Sequence, residues 1–130
     1  MIVLDTHVWY WWASGQHSRL SAALLDALAV VPRVGVSPVS CFEVAWAHRR
    51  GRLELPLPAA EWLVEALDRS DVELLPLTPA VAVRAAGLAL HHSDPFDRII
   101  IATALEFDGR LASADAQFNA YPELAGRLLM

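Results

Sequence analysis

Four acidic residues that are far apart in the sequence each follow a predicted strand or begin a predicted helix. They are Asp5, Glu43, Asp97 and Asp115. In an α/β fold the carboxyl ends of parallel strands meet at one edge of the sheet, so these acids are expected to face a common crevice. Uncompensated carboxylates repel each other and are commonly held together by a divalent cation. The pattern therefore predicts metal-dependent chemistry on a phosphate.

The elements that position these acids alternate between strands and helices. Strands are predicted at 1–5, 34–36, 72–77 and 110–114. Helices are predicted at 7–13, from Ser18 as N-cap to about 31, at 38–50, 59–69, from Thr78 as N-cap to about 91, and at 96–107. This alternation predicts an α/β fold, a three-layer α/β/α sandwich with a mostly parallel central sheet. Residues 1–130 are expected to form one domain, and the tail after residue 120 predicts no clear strand.

Several of these acids also have a purely structural interpretation. Asp5 follows a strand, where an aspartate starts a turn or caps a helix, although Thr6 is able to cap the same helix. Asp115 fits an ordinary turn residue. Glu43 is harder to explain in this way, because it stands in the apolar segment 39–46. The joint placement of the acids carries more weight than any one of them.

The segment around Asp97 contains two acids with different expected roles. Asp94 precedes Pro95 and is expected to be the N-cap of the following helix. Asp97 then falls at the third helical position, where a carboxylate bonds back to the cap residue and opposes the helix dipole. Taken alone, Asp97 is therefore explained by helix capping as well as by catalysis.

Composition excludes several classes of protein. The 130 residues are 55% hydrophobic and 19% charged, which is typical of a folded chain. All ten basic residues are arginine, so the lysine that a P-loop NTPase requires is absent. The net charge of −5 argues against a general nucleic-acid coating protein but not against a nuclease with an acidic centre. The single cysteine, Cys41, allows no internal disulfide and is expected to be buried.

The sequence shows neither a membrane span nor a targeting signal. No apolar run approaches the roughly 20 residues that a membrane span requires. The N-terminus lacks a basic region and reads directly as a core strand. We therefore expect a cytoplasmic protein that makes no contact with a membrane.

Four segments together carry a resemblance to a known family. They are Leu4-Asp5-Thr6-His7-Val8-Trp9, Ser37-Pro38-Val39-Ser40-Cys41-Phe42-Glu43-Val44-Ala45, His92-Ser93-Asp94-Pro95-Phe96-Asp97-Arg98 with Ile99-Ile100-Ile101-Ala102, and Ala112-Ser113-Ala114-Asp115-Ala116-Gln117-Phe118. In order and spacing they resemble PIN-domain ribonucleases, specifically the VapC-type toxins of bacterial toxin–antitoxin pairs. The resemblance spans nearly the whole chain, and the Asp-Pro-Phe-Asp-Arg segment is its most specific part.

The resemblance implies a PIN-like fold and a metal-dependent endoribonuclease that inhibits translation and growth. It implies that Asp5, Glu43 and Asp97 form an acidic triad, with Asp115 as a fourth and more variable acid. Mg²⁺ or Mn²⁺ would be held by Asp5 and Asp97, directly or through water. Glu43 would orient the attacking water or complete the metal's coordination shell, and both Glu43 and Asp115 would bind the metal directly or through water. The residues expected to support the site are Thr6, Asp94 and Arg98, the last through a phosphate or a neighbouring carboxylate.

The resemblance also implies an RNA substrate, a VapB-type antitoxin and a homodimer. The basic cluster His48, Arg49, Arg50 and Arg52 is a candidate RNA-binding surface, although basic residues at the end of a helix also compensate its dipole. Trp9, Trp11 and Trp12 belong to a run of four aromatic residues that one small domain is not expected to bury completely. They are candidates for an antitoxin groove or a homodimer interface.

Other functions fit the sequence less well. A haloacid-dehalogenase-type phosphatase needs a second Asp two residues after the first, where this chain has His7, and it needs a lysine. A receiver domain lacks the same lysine. A PIN-type RNA-processing nuclease outside a toxin–antitoxin pair and a non-catalytic interaction module remain as alternatives.

Overall fold

A computed structural model describes residues 1–69, 71–89 and 94–130 of the chain. The strands are β1 Ile2–Leu4, β2 Val34–Val36, β3 Val72–Leu74, β4 Arg110–Ala112 and β5 Leu128–Leu129. The α-helices are α1 Thr6–Ala13, α2 Ala22–Val30, α3 Pro38–Arg49, α4 Ala59–Arg69, α5 Pro79–Ala86 and α6 Pro95–Glu106. Short 3₁₀ turns cover His17–Arg19, Ala116–Ala120 and Pro122–Leu124.

The strands of the described residues form one sheet in the order β3-β2-β1-β4-β5, and every pair is parallel. The two faces of the central strand β1 enter different parts of the core. Ile2 and Leu4 pack with residues of α1, α2 and α4, whereas Val3 packs against residues of α6. Helices therefore cover both faces, which confirms the predicted three-layer α/β/α fold and makes its sheet entirely parallel.

The register of the sheet brings three strand ends to the same level. Leu4 of β1 pairs with Val36 of β2 on one side and with Ala112 of β4 on the other. The next residue of each strand therefore lies at the same edge of the sheet. These residues are Asp5, Ser37 and Ser113, and all three are buried. This edge therefore holds Asp5, the first of the acidic residues predicted from the sequence.

Most predicted helix starts are confirmed, because each combines a capping side chain with proline at the first helical position. Ser37, Thr78 and Asp94 all cap their helices. The prediction of Ser18 as the cap of α2 was wrong. Ser18 lies in a 3₁₀ turn, and the cap is Ser21, whose Oγ accepts a hydrogen bond from the Leu24 backbone N–H at 3.1 Å.

Other element ends differ from the prediction. Helix α5 ends at Ala86 with Gly87 as its C-cap, and the predicted end near residue 91 lies outside the described residues. Strand β3 ends at Leu74, two residues before Pro76, which lacks the N–H that a ladder needs. Strand β4 ends at Ala112. The tail does form a final strand, since Leu128 and Leu129 pair with Leu111 and Ala112.

Two expectations about burial and length can also be compared with the structure. Cys41 is half-buried, not fully buried as expected, and this partial burial raises the pKa of its thiol. In the parts of the chain that the structure describes, no helix is both long and apolar enough to cross a membrane.

Candidate active site

Asp5 is both the cap of α1 and a member of the acidic crevice. Its Oδ1 accepts a hydrogen bond from the Val8 backbone N–H at 2.9 Å. Its Oδ2 accepts one from the Ser113 hydroxyl at 2.5 Å. Burial raises the pKa of Asp5, these two hydrogen bonds oppose that shift, and the nearby charge of Asp115 adds to it. The carboxylate is therefore held in one orientation by groups on both sides.

The sequence allowed Thr6 to cap α1, but the cap is Asp5, and Thr6 instead positions Glu43. Its hydroxyl donates to Oε1 of Glu43 at 2.6 Å, and its Oγ1 also lies 2.9 Å from Oγ of the buried Ser40. These contacts join α1 to α3. Burial raises the pKa of Glu43, and the charges of Asp94 and Asp5 raise it further against the effect of the Thr6 hydrogen bond.

The pKa of Asp97 indicates most directly that the acidic residues lie in one region. Its pKa is raised to about 7, first by burial and then by the charges of Asp94, Glu43, Asp115 and Asp5, in that order. A carboxyl group that is perturbed by four others lies within electrostatic range of all of them. The structure therefore brings the four predicted acids together, with Asp94 as a fifth.

Asp94 and Asp115 are exposed and hold local turns while they add charge to the site. Asp94 Oδ1 accepts from the Phe96 backbone N–H at 2.8 Å, which confirms it as the cap of α6. Asp115 Oδ1 accepts from the Gln117 backbone N–H at 2.9 Å and caps the 3₁₀ turn that follows. Both carboxylates have structural partners, and both lie close enough to raise the pKa of Asp97.

Ser113 is a site residue that the sequence did not single out. It is buried at the end of β4, donates to Asp5, and accepts a hydrogen bond from the Asp115 backbone N–H at 3.0 Å. Ser40, next to Thr6 and Glu43, was missed in the same way. The signal available in the sequence was the position of Ser113 two residues before a candidate acid, which becomes informative only when β1 and β4 are known to pair.

Arg98 contacts backbone carbonyls among the described residues, and its predicted contact with a phosphate or a neighbouring carboxylate stays a prediction. Its guanidinium donates to the backbone carbonyls of Ala85, Ala86 and Leu88 at 3.0, 3.3 and 2.9 Å. The Ala85 and Ala86 carbonyls lie in the last turn of α5, where helix carbonyls lack partners within the helix, and the Leu88 carbonyl follows the C-cap Gly87. Arg98 therefore joins α6 to α5.

We expect Arg98→Ala to lower the free energy of unfolding by about 2 kcal/mol, because it leaves several carbonyl groups without their donor. Urea denaturation would measure the change, with Arg110→Ala, an exposed arginine on β4, as the matched control. If the two variants had equal stability, the contacts of Arg98 would contribute nothing to the fold.

The predicted RNA-binding cluster lies beyond the acids, at the C-terminal end of α3. Arg49, Arg50 and Arg52 are exposed, whereas the half-buried His48 has its Nδ1 3.0 Å from the carbonyl oxygen of Leu53. Along the helix, Arg50 is about 10 Å from Glu43. The cluster is therefore available to a ligand but is not adjacent to its own acidic crevice.

The aromatic residues of α1 have different environments. Trp9 is fully buried and packs on Trp62 of α4, so the prediction that it contacts a partner was wrong. Trp11 is half-buried beneath the guanidinium of Arg19. Trp12 is half-buried and, together with Tyr10, lines a surface groove of about 620 Å³ between α1 and α4. The rest of the groove is formed by Ala13, Ser14, Gly15, Glu54, Pro56, Leu57, Trp62, Glu65, Ala66 and Arg69.

The donor atoms in the crevice are carboxylate and hydroxyl oxygens, which suit hard divalent cations. Among residues 1–69, 71–89 and 94–130, no three acidic, histidine or cysteine side chains are close enough to form a complete metal centre. Mg²⁺ usually keeps several water ligands and needs only one or two protein carboxylates. The site therefore fits a cation that is bound partly through water.

The fold and the acidic edge of the sheet correspond to a known family. The PIN domain family model matches residues 2–124, and the chain belongs to this family. Ribonuclease VapC22 from Mycobacterium tuberculosis is 36% identical to it over 121 residues, which cover 92% of this chain and 91% of that protein.

Two solved structures share the fold. The crystal structure of VapBC2 from Rickettsia felis, bound to a DNA fragment from their promoter, contains a chain that matches with a TM-score of 0.72 and 15% identity, covering 99% of this chain and 98% of that one. A toxin–antitoxin complex from Klebsiella pneumoniae contains a chain that matches with a TM-score of 0.62 and 17% identity. The match covers 100% of this chain and 97% of that one.

Proposed function

We propose that this chain is a divalent-metal-dependent endoribonuclease and the toxin of a VapBC-type toxin–antitoxin pair. Membership of the PIN domain family and the similarity to a ribonuclease support the class of reaction. The observation that carries the proposal is the edge of the sheet where the Ser113 hydroxyl holds Asp5 and the Thr6 hydroxyl holds Glu43, beside Asp97, whose pKa is raised to about 7 by burial and neighbouring carboxylates. Such a crowded acidic crevice favours a bound cation. We further propose that residues 1–130 act as one domain and that the protein acts in the cytoplasm.

The cation is proposed to be Mg²⁺ or Mn²⁺, held by Asp5 and Asp97, with Glu43 and Asp115 contributing directly or through water. A bound divalent cation neutralises charge on the scissile phosphate and lowers the pKa of a water molecule. The protein supplies the orientation of each carboxylate. Ser113 and the start of α1 hold Asp5, and Thr6 holds Glu43, whose carboxylate would accept a proton from an attacking water.

RNA needs a positive surface around this acidic centre, because each of its phosphates is negatively charged. The exposed Arg49, Arg50 and Arg52 are proposed to supply it, with the neighbouring His48. Hydrolysis would then break the phosphodiester bond at the metal while the arginines hold the flanking phosphates.

The proposed function is tested by incubating the purified chain with cellular RNA, with and without Mg²⁺ or Mn²⁺. We expect discrete cleavage products that vanish with a chelator, and sequencing of the new RNA ends would identify the target. Brief expression of the chain should arrest growth, and co-expression of the small protein encoded beside it should relieve the arrest. Intact RNA under all metal conditions would refute the ribonuclease proposal.

The antitoxin is proposed to occupy the groove between α1 and α4. Tyr10, Trp12 and Trp62 offer apolar surface there, and Glu54 and Glu65 offer negative charge. These residues fit a segment with apolar anchors and basic side chains. A basic residue of the same segment that reaches the acidic crevice would compete with the cation.

We expect Trp12→Ala to weaken the antitoxin complex by about 2 kcal/mol, the cost of losing an aromatic hot spot. Isothermal titration calorimetry with the purified antitoxin measures this change. Trp46→Ala is the matched control, because Trp46 is a partly exposed tryptophan on α3 outside the groove. Equal affinity of wild type and Trp12→Ala would exclude the groove as the main antitoxin site.

A further inference from the structure

The exposed face of α1 begins beside the acidic crevice and is lined by two aromatic rings and a cation. His7 directly follows Thr6, whose hydroxyl holds Glu43, and the His7 side chain is exposed. Trp11 comes one helical turn later, about 6 Å along the helix, and its ring centroid lies 5.7 Å from that of His7. The guanidinium of Arg19, in the 3₁₀ turn after α1, lies over the indole of Trp11 at 5.6 Å from the ring centroid. We call His7, Trp11 and Arg19 the α1 rim.

His7 lies within electrostatic range of two acids of the crevice. Burial raises the pKa of Asp5 and the pKa of Glu43, and the charge of His7 is among the effects that oppose this rise in both. Groups that perturb each other in this way are close in space. The α1 rim therefore starts at carboxylates that are proposed to bind the cation and leads away from them along α1.

Arg19 contacts an aromatic ring, whereas four other arginines pair with acidic side chains. The paired arginines are Arg33, Arg69, Arg84 and Arg127. In the described parts of the chain, no acidic side chain forms an ion pair with Arg19. A cation on the face of an indole is restricted in position but keeps its charge and its N–H donors for an anion. Arg19 is therefore suited to hold a phosphate.

The exposed imidazole of His7 provides a flat surface for a base. Its ring is inclined at 46° to the indole of Trp11, so the indole does not lie flat against it. Proteins bind single-stranded RNA by stacking its bases on aromatic rings, histidine included, while cations hold its phosphates. Trp11 is half-buried under Arg19 and supports the two outer side chains.

Charge favours RNA over the antitoxin at the α1 rim. The groove between α1 and α4 is lined by other residues of α1, including Tyr10 and Trp12, and by the acidic Glu54 and Glu65. The antitoxin segment proposed for that groove carries basic side chains, which the positive charge of Arg19 would repel. The same charge attracts a phosphate. The two faces of α1 therefore suit partners of opposite charge.

We propose that the α1 rim binds the segment of RNA that flanks the scissile phosphate, with a base stacked on His7 and a phosphate held by Arg19. This assignment rests on the ribonuclease function proposed above. The arginines at the end of α3 and the α1 rim hold two parts of the same strand. The acidic crevice lies where α1 and α3 meet, at the contact of Thr6 with Glu43.

Binding of a fluorescently labelled single-stranded RNA oligonucleotide, in the presence of a chelator, tests the α1 rim without any cleavage. Fluorescence anisotropy at several salt concentrations measures the dissociation constant and its salt dependence. We expect Arg19→Ala to raise the dissociation constant at least about five-fold and to reduce the slope of log affinity against log salt by about 0.7, the value for one phosphate contact on a single strand. Arg110→Ala is the matched control, because it removes the same charge from the exposed start of β4, at the other end of that strand from the acids.

The contribution of His7 is tested with the same oligonucleotide. His7→Ala should raise the dissociation constant at least about five-fold, because the stacked base loses its ring. His7→Phe should restore most of the affinity, since phenylalanine provides a flat ring at the same place. His17→Ala, at an exposed histidine outside the α1 rim, should bind like wild type. Circular dichroism confirms that each variant is folded.

The assignment of the α1 rim is overturned if Arg19→Ala and Arg110→Ala have the same affinity and salt dependence, or if wild type does not bind the RNA. It is also overturned if Arg19→Ala and His7→Ala weaken the antitoxin complex and leave RNA binding unchanged, because the surface would then belong to the antitoxin. Wild type that binds RNA through the α1 rim but cleaves it with neither Mg²⁺ nor Mn²⁺ would support the RNA site and refute the ribonuclease function. Active wild type whose kcat/KM is unaffected by Arg19→Ala would refute the RNA site and leave the ribonuclease function intact.

Discussion

Asp5→Asn and Asp97→Asn are each expected to lower the rate of RNA cleavage by about 10³-fold or more, which corresponds to about 4 kcal/mol of transition-state stabilisation. Both carboxylates are proposed to hold the cation, and asparagine keeps their size while it removes the charge. The Asp5→Asn variant should still cap α1, because asparagine is a good N-cap. Initial cleavage rates at saturating Mg²⁺, together with circular dichroism spectra of each variant, measure the effect and confirm the fold.

The control for this prediction is Asp94→Asn. Asp94 is exposed and caps α6, and asparagine keeps that cap, so cleavage should largely persist even though one nearby charge is lost. Full activity of purified Asp5→Asn or Asp97→Asn would remove that residue from the catalytic role. Equal loss in all three variants would instead mean that the total charge of the crevice, and not a particular ligand, determines the rate.

The second large effect is expected in the dependence of stability on pH. The pKa of Asp97 is raised from its usual 3.8 to about 7 in the folded protein. Between these values the folded state binds more protons than the unfolded state, so stability falls as pH rises and is lowest above pH 7. Without divalent metal, the melting temperature should therefore increase as pH is lowered from 8 to 5.5.

Bound metal should reverse this dependence of the melting temperature on pH. A cation favours the ionised carboxylates, and protons displace it as pH falls, so the melting temperature with metal should decrease over the same range. At pH 8, metal at 100 times its dissociation constant stabilises the folded state by about 2.7 kcal/mol, or roughly 10 °C for a chain of this size. Scanning calorimetry with Mg²⁺, with Mn²⁺ and with a chelator measures both slopes.

The variants for this experiment differ in the position and the number of the carboxylate charges that they lose. Asp97→Asn should show little of the pH dependence without metal, and the Asp5→Asn, Asp97→Asn double variant should gain little stability from metal. Asp26→Asn, on the exposed side of α2, should behave like wild type. The same metal-induced shift in the double variant and in wild type would locate the cation elsewhere.

The parts of the fold that depend on local chemistry were predictable from the sequence. Ser37, Thr78 and Asp94 each precede a proline, and each begins a helix as expected. Ser18 and Ser21 show the limit of such signals, because both are serines before an apolar segment and only the tertiary structure selects Ser21. The short pairing of Leu128 with Leu111 depends on an existing sheet and has no comparable local signal.

The candidate site divides in the same way. The four acids were found because strand ends and helix starts place residues at one edge of a parallel sheet. The Ser113–Asp5 contact joins residues 108 positions apart, and the role of Arg98 depends on where α5 ends. The sequence also could not predict that Trp9 is buried and Trp46 is exposed. Helices α1 and α3 are both rich in apolar residues, so the sequence does not show which face of each helix packs against the core. The residue roles themselves remain predictions.

The position of Ser113 has a consequence for the end of the chain. Its backbone N–H donates to the Leu129 carbonyl at 2.9 Å while its hydroxyl holds Asp5, and the Met130 carbonyl accepts from Ser21 Oγ on the other side. Residues 128–130 therefore hold β4 and Ser113, which orients Asp5, a carboxylate proposed to bind the cation. A change to residues 128–130 would disturb the orientation of Asp5 indirectly, because Leu129 contacts Ser113 and Ser113 contacts Asp5. A protein altered in this way would cleave RNA slowly although every acidic residue is intact.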